Sequence, residues 1–186
     1  MKRLVIITVG KTHSGKTTFA KKLEQHLHNS VVIDRDDQAE FINTHYKSLL
    51  PKQGVNTFKN AISRTIVDYA VNESSSHLIL CNANRGRKGR LEMLERFHHK
   101  GFVSILVHFE IPDDILHSRI TNSQRSTTIF RSASNFEEVL SRQQAESHHG
   151  DVVAPAASEA DHLFVVKDSH EVQSIIQKIT NISQDL

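Results

Sequence analysis

A glycine- and lysine-containing segment near the start of the chain has the residue types that a polyphosphate-binding loop needs. Residues 10–17, GKTHSGKT, match the pattern G-x-x-x-x-G-K-[ST]. They follow the apolar run 4–9 and precede an amphipathic segment, so the glycines fall at a turn from a strand into a helix. Consecutive backbone N–H groups at the start of a helix attract phosphate oxygens. The segment therefore predicts binding of a nucleoside triphosphate, and a tight turn that holds no ligand is the alternative.

The residues of this loop have distinct predicted tasks. We expect the nucleotide to contact Gly10, Lys11, Thr12, His13, Ser14, Gly15, Lys16, Thr17 and Thr18. Lys16 would bridge the β- and γ-phosphates of ATP, and the Thr17 hydroxyl would bind Mg²⁺. His13 is unusual, because many such loops have glycine there. A protonated imidazole on phosphate would make nucleotide affinity rise as the pH falls through about 6.5.

An acidic run after the second predicted strand has two interpretations. The strand 31–33 leads into Asp34, Arg35, Asp36 and Asp37. Ligands of doubly wound sheets lie beyond the carboxyl ends of the strands, so a carboxylate here could take the proton of an attacking hydroxyl. Alternatively, the run caps a helix whose dipole favours acidic residues in its first turn. The residues alone leave both interpretations open.

Two cationic segments also have alternative interpretations. The polar residues 121–135, TNSQRSTTIFRSASN, are either a surface loop or a mobile cover that brings Arg125 and Arg131 to a substrate. The second segment contains Arg85, Arg87, Lys88 and Arg90 at the beginning of a predicted helix. Positive charge at that place opposes the helix dipole, which indicates either a bound anion or a solvated turn.

The elements that would position these residues alternate between short apolar runs and longer amphipathic segments. The predicted strands are 4–9, 31–33, 78–80, 103–109 and 163–166, and the predicted helices are 15–28, 38–48, 58–72, 88–100, 113–121, 136–148 and 172–182. Apolar runs without strict alternation are typical of a parallel sheet that is covered on both faces. The sequence therefore predicts an α/β fold of the P-loop NTPase kind, a three-layer αβα sandwich with a five-stranded, mainly parallel sheet.

Composition limits the class of protein. The chain has 186 residues, 38% of them hydrophobic and 24% charged, and a formal net charge of +2, which fits one globular domain over residues 1–186 without a strongly charged partner surface. Its one cysteine, Cys81, cannot form an internal disulfide, so a cytoplasmic location is expected. No apolar stretch approaches the roughly 20 residues of a membrane helix. We therefore expect neither a membrane nor an obligate protein partner.

The order of these segments resembles the polynucleotide kinase and zeta-toxin branch of P-loop kinases, an AAA-type ATP-binding kinase domain. The motifs that carry the resemblance are, in chain order, the loop, residues 35–37 (RDD), residues 80–84 (LCNAN) with Arg87 and Arg90, residues 109–112 (FEIP), Arg119, Arg125, Pro155 and Glu159. They extend over nearly the whole chain. The resemblance implies a kinase that uses ATP and Mg²⁺ and transfers the γ-phosphate to a hydroxyl.

The resemblance also implies roles for particular residues. Asp36 would be the general base and Lys16 a catalytic contact of the phosphates. Arg119 and Arg125 would belong to a lid over about residues 119–135, because a guanidinium suits the charge on a transferring phosphoryl group. Asn82 stands where an aspartate near Mg²⁺ is expected, so that Thr17 and Asn82 are the expected metal residues, and Ala39 replaces an arginine that would contact an acceptor phosphate.

Two classes of function remain open on the sequence. The first is an ATP- and Mg²⁺-dependent phosphotransferase whose hydroxyl acceptor is a small molecule or a nucleic acid, and a toxin-like kinase for a sugar nucleotide is a variant of it. The second is a nucleotide-binding module, or a degenerate kinase, that does not transfer phosphate. Asn82 and Ala39 support the second class, whereas the Lys16–Thr17 pair, the acidic run and the arginines support the first.

Overall fold

Strands and helices alternate along residues 2–147 and 150–186, the part of the chain that the computed structural model describes. The strands are β1 (Arg3–Gly10), β2 (Ser30–Asp34), β3 (His77–Cys81), β4 (Phe102–Phe109) and β5 (His162–Val166). The helices are α1 (Lys16–His26), α2 (Arg35–His45), α3 (Thr57–Glu73), α4 (Arg87–His99), α5 (Asp113–Thr121), α6 (Phe136–Glu146) and α7 (Val172–Gln184). None of these helices combines the length and the apolarity that a membrane crossing requires. The predicted end of α6, residue 148, lies outside the described residues.

The five strands form one sheet in the order β2-β3-β1-β4-β5. Every neighbouring pair is parallel, with Ile6 of the central strand β1 opposite Ile79 on one side and Ile105 on the other. Parallel neighbours require crossover connections, which the helices provide. The carboxyl ends of the strands therefore meet at one edge of the sheet, where the loop after β1 and the acidic run after β2 lie close together.

The central strand explains why its sequence lacks alternation. Leu4 and Ile6 pack against the helices of one face, α1 and α7, while Val5 and Ile7 pack against those of the other, α3 and α4. All four side chains are fully buried. Because both faces are covered, each position of the strand needs an apolar residue. The predicted three-layer αβα fold with a five-stranded parallel sheet is confirmed.

The beginning of α2 differs from the prediction. The helix starts at Arg35 rather than at residue 38, because the Asp34 side chain caps it by accepting a hydrogen bond of 2.8 Å from the Asp36 amide. Asp36 and Asp37 consequently lie in the first turn of the helix. The capping interpretation of the acidic run is therefore correct for Asp34, and the helix start directs the next carboxylates to the edge of the sheet.

Both interpretations of the second cationic segment are wrong for Arg90. This side chain is 1% exposed, so it does not lie in a solvated turn, and protein groups already occupy its guanidinium. Its Nε and Nη2 donate to the two carboxylate oxygens of Glu159 at 2.9 and 3.1 Å, and its Nη1 donates to the carbonyls of Asn84 and Arg85. Arg85 in turn donates to the carbonyl of Gln143 in α6. Arg90 and Arg85 therefore connect the segment after β3 to Glu159 and to α6.

Candidate active site

The loop between β1 and α1 has a backbone that needs its two glycines. Gly10 has φ +154° and Gly15 has φ +100°, values that side chains rarely permit. The Gly10 amide donates to the carbonyl of Ala83 at 2.9 Å, and a Cβ at Gly10 would lie 3.0 Å from the Cβ of Phe109. The loop is thereby packed against the ends of two strands and ends at the N-terminus of α1, which is the geometry of an anion-binding concavity.

Lys16 lies over this concavity. Its ammonium donates to the carbonyl of Lys11 and, at 3.2 Å, to the hydroxyl of Ser14. Burial lowers the pKa of Lys16 to about 8, although the charge of Asp36 opposes that shift. The ammonium is therefore protonated at neutral pH, and a phosphate group would stabilise its charge further.

Thr17 meets an acidic partner that the sequence interpretation did not assign to it. Its hydroxyl donates to a carboxylate oxygen of Asp34 at 2.9 Å, and Asn82 lines the same cleft. Hydroxyl, carboxylate and amide oxygens are ligands that suit Mg²⁺, so these three residues fit that ion. Burial, reinforced by Asp34, raises the pKa of the neighbouring Cys81 thiol to about 12. The thiol is therefore protonated at neutral pH, and sulfur is not a ligand that suits Mg²⁺.

The predicted base and the two predicted lid arginines surround the loop. Arg125 Nη2 lies 3.1 Å from the Asp36 carboxylate, and both side chains are about two-fifths exposed, at 38% and 41%. Arg119, in the last turn of α5, donates to the carbonyl of His13 at 3.1 Å. The structure thus brings together Asp36 and Arg125, which lie 89 positions apart in the sequence, and His13 and Arg119, which lie 106 positions apart.

His13 has a structural explanation that differs from the imidazolium hypothesis. It has φ +57°, its Nε2 lies 2.9 Å from the Ser123 hydroxyl, and its ring packs edge-on against Phe136 with 4.5 Å between the centroids. Burial, with the charges of Arg125 and Lys16, lowers the pKa of His13 to about 4. The ring is therefore neutral near pH 6.5 in this structure, and its contacts with Ser123 and Phe136 favour a structural role over a cationic contact of phosphate.

These two pKa values predict the pH dependence of nucleotide binding. His13→Asn, which tolerates a positive φ, should leave the affinity profile between about pH 6 and about pH 8 unchanged in shape, because the wild-type ring carries no charge there. Affinity should fall as the pH rises above about 8, where the Lys16 ammonium loses its proton. Calorimetric titration of both proteins with the nucleotide checks this. An acid-side rise in wild type that His13→Asn removes would restore the cationic interpretation.

The predicted lid segment is anchored more firmly than a polar surface loop. Its short helical turn Thr127–Ile129 packs on α2, where Asn43 Nδ2 donates to the carbonyl of Thr128 at 2.6 Å. Phe130 packs against Phe136 with 4.7 Å between the ring centroids. Arg131 donates to the carbonyls of Pro51 and Gly54, so its guanidinium attaches the segment to the chain between α2 and α3. The aromatic residues fix the segment, and Arg125 remains directed at Asp36.

One cleft of about 870 Å³ is lined by Lys16, Thr17, Asp34, Asp36, Asn82, Arg119 and Arg125. The loop forms its floor, the first turn of α2 and Lys59 of α3 form one side, and Arg119 and Arg125 form the roof. Val166, Ser169 and Val172, at the end of β5 and the start of α7, line it too. A volume of this size is within the range of sites that hold drug-sized and cofactor-sized molecules, roughly 300–1,000 Å³.

Comparison with known proteins places the chain in a family. The model of the AAA domain matches residues 5–148, which include the loop, the acidic run and both predicted lid arginines. The chain belongs to this AAA-domain family. No curated protein matches its sequence significantly.

Solved structures share the fold over almost their whole length. Kti12 from Chaetomium thermophilum, solved with ADP-AlF3, has a TM-score of 0.65 at 16% identity and 95% coverage of this chain and 97% of its own. Shikimate kinase from Bacteroides thetaiotaomicron has a TM-score of 0.58 at 16% identity, with 97% and 98% covered. APS kinase CysC from Mycobacterium tuberculosis, solved with AMPPNP and APS, has 0.58 at 14%, with 98% of both chains covered. The predicted P-loop kinase fold of AAA type is confirmed.

Proposed function

We propose that this protein is an ATP- and Mg²⁺-dependent kinase that transfers the γ-phosphate of ATP to a hydroxyl group. The observation that carries the proposal is that one cleft holds the loop lysine Lys16, the partly exposed carboxylate of Asp36 and the guanidinium of Arg125. Nucleotide binding alone would need the loop, but not a carboxylate and an arginine that face it across the cleft. The kinase domain would span residues 1–186, with 119–135 as its lid, and would act in the cytoplasm.

The loop and its neighbours would bind the nucleotide. Backbone N–H groups of residues 10–18 and the Lys16 ammonium would hold the phosphates. Thr17, Asp34 and Asn82 would hold Mg²⁺, which when bound neutralises charge on the phosphate oxygens. Asp34 supplies the negative charge that Asn82 lacks, which weakens one argument for a binding module without transfer. Ala39 is 3% exposed, so this position has no access to an acceptor.

Asp36 would act as the general base. Its carboxylate would accept the proton of the acceptor hydroxyl while that oxygen attacks the γ-phosphorus and ADP leaves. The ion pair with Arg125 would control this step, because phosphate oxygens that enter the cleft compete for the guanidinium. Arg125 would then turn to the phosphates together with Arg119, and the freed carboxylate would face the acceptor. The lid over the cleft would exclude water and suppress hydrolysis of ATP.

Transfer of label tests the proposal. Protein is incubated with γ-labelled ATP, Mg²⁺ and a panel of 5′-hydroxyl oligonucleotides, nucleosides, sugars and aminoglycosides. Lys16→Ala is the blank, and Lys178→Ala, an exposed lysine of α7, is the matched control. We expect label on one acceptor class with the wild type and Lys178→Ala, and none with Lys16→Ala. ATP binding that depends on Lys16 without transfer to any acceptor would favour the binding module.

A further inference from the structure

Arg125 lies between two attachment points of the predicted lid segment. On the side of the loop between β1 and α1, the hydroxyl of Ser123 lies 2.9 Å from Nε2 of His13. The same hydroxyl accepts a hydrogen bond of 3.2 Å from the backbone amide of Arg125. One side chain thus connects the loop to the residue whose guanidinium contacts Asp36. The backbone of Arg125 is therefore held towards the loop by a contact that does not involve its guanidinium.

Asn43 holds the other side of the segment on α2. Its Nδ2 donates to the carbonyl of Thr128 at 2.6 Å and to the carbonyl of Phe130 at 3.3 Å. A side-chain amide has two N–H donors on one nitrogen, and a carbonyl oxygen only accepts, so this pair of contacts fits the nitrogen and not the oxygen of the amide. Asn43 thus fixes the short helical turn Thr127–Ile129 and the residue after it against α2.

Asp36 and Asn43 lie on the same face of α2. They are separated by about two helical turns, which is about 10 Å along the axis of the helix. Asp36 contacts the Arg125 guanidinium, and Asn43 contacts the carbonyls that follow it in the chain. The segment therefore lies alongside two turns of α2 and does not touch the helix at one point only. The helix that carries the proposed base also sets the position of Arg125.

The ion pair with Asp36 would not keep Arg125 in the cleft by itself. Both side chains are partly exposed, and water screens the attraction of exposed ion pairs. A guanidinium on a free polar segment would have to be ordered each time it bound phosphate, and the lost conformational entropy would weaken binding. With the backbone already held at Ser123 and at Asn43, only the Arg125 side chain has to change partner.

We propose that Ser123 and Asn43 are positioning residues, which hold the backbone around Arg125 so that its guanidinium reaches the γ-phosphate of a bound nucleotide by rotation of the side chain alone. The inference rests on the proposed function, which directs Arg125 to the phosphates. Both residues lie in the described part of the chain and outside the lining of the cleft, so they act through Arg125. The two attachments therefore determine how strongly the protein prefers a nucleotide with a γ-phosphate to one without it.

The preference for a γ-phosphate tests this role without knowledge of the acceptor. The dissociation constants of AMPPNP and of ADP are measured by calorimetry with Mg²⁺, and their ratio reports the contacts of the γ-phosphate. Arg125→Ala should lower the preference for AMPPNP by about tenfold or more, as expected for the loss of a hydrogen bond from a charged group. Ser123→Ala and Asn43→Ala should each lower it several-fold and change the ADP affinity little. Asn181→Ala, at an exposed asparagine of α7, is the matched control and should leave the preference unchanged.

A double variant separates positioning from a general effect on the fold. If Asn43 acts through Arg125, adding Asn43→Ala to Arg125→Ala should lower the preference no further, whereas two independent effects would multiply. Multiplied effects would overturn the inference, as would an unchanged preference in any of the three single variants of Ser123, Asn43 and Arg125. Asn43→Asp, which removes both donors but keeps the shape of the side chain, should lower the preference as Asn43→Ala does.

Two further observations keep the outcomes distinct. Thermal unfolding of each variant shows that it is folded under the conditions of the titration. Failure of both nucleotides to bind to the wild type would count against the proposed function. Binding of both nucleotides with a preference that does not depend on Ser123 or Asn43 would count against the positioning role alone.

Discussion

Asp36→Asn is expected to lower the rate of phosphate transfer by about 10²–10⁴-fold, the usual contribution of a general base. Asparagine has nearly the shape of aspartate, but its amide does not accept the proton of an attacking hydroxyl. The affinity for ATP should change little, since the loop and Lys16 hold the phosphates. The folded state should change little as well, because the Asp36–Arg125 pair is two-fifths exposed and such pairs contribute about 0–1 kcal/mol.

The measurement compares transfer rate and nucleotide affinity for the same variant. Asp37→Asn is the matched control, because Asp37 is the next carboxylate of the same helical turn and is exposed. We expect Asp37→Asn to retain transfer within a few-fold of the wild type. Equal losses of ATP affinity and transfer in Asp36→Asn would show a role in binding, and a full rate would exclude Asp36 as the base.

Arg90→Ala is expected to lower the free energy of unfolding by about 3–5 kcal/mol, because it removes two of the hydrogen bonds that the buried Glu159 carboxylate accepts and leaves its charge poorly compensated. The side chain of Glu159 is 1% exposed. Burial alone would raise its pKa, but hydrogen bonds from Arg90 and from the Ala156 amide lower the pKa below its usual value. The pair therefore stabilises the fold above the pKa of an unfolded glutamate, and this contribution is lost as the pH falls through the lower, folded-state pKa.

Urea unfolding at neutral pH measures this loss. Arg87→Ala is the control, because Arg87 lies 3.6 Å from the same carboxylate but is 53% exposed, so we expect a change within about 1 kcal/mol. The double variant Arg90→Met with Glu159→Gln should recover part of the loss, since it removes both buried charges. An unfolding midpoint of Arg90→Ala equal to that of the wild type would contradict the structural role of the pair.

The loop and the layers could be predicted from the sequence because they depend on local patterns. The glycine and lysine spacing identifies residues 10–17, and the continuous apolar run of β1 indicates a strand that is covered on both faces. The beginning of α2 was predicted less well. Asp34 competes with Asp36 and Asp37 as the capping residue, and only the backbone shows which side chain accepts the amide hydrogen bond.

Contacts between distant residues had no signal in a single sequence. Arg90 and Glu159 are 69 positions apart, and nothing in the cationic run from residue 85 to residue 90 indicates a buried acid. Thr17 follows β1 and Asp34 ends β2, and they meet because the carboxyl ends of these parallel strands lie at the same edge of the sheet, with β3 between them. A single sequence does not indicate this strand order. The firm attachment of the predicted lid segment depends on the contact between Phe130 and Phe136, and their sequence context does not show that these two rings meet.

The fate of the γ-phosphate tests the central claim most directly. With γ-labelled ATP, Mg²⁺ and a small-molecule and oligonucleotide extract as acceptor, ADP, labelled acceptor and labelled inorganic phosphate are counted in one reaction. If the protein is a kinase, each molecule of ADP whose formation depends on Lys16 is matched by one molecule of labelled acceptor, and little labelled inorganic phosphate is formed. ADP matched by free phosphate alone would make the protein a hydrolase. Lys16-dependent ATP binding without any ADP would make it a nucleotide-binding module, and either result would contradict the account.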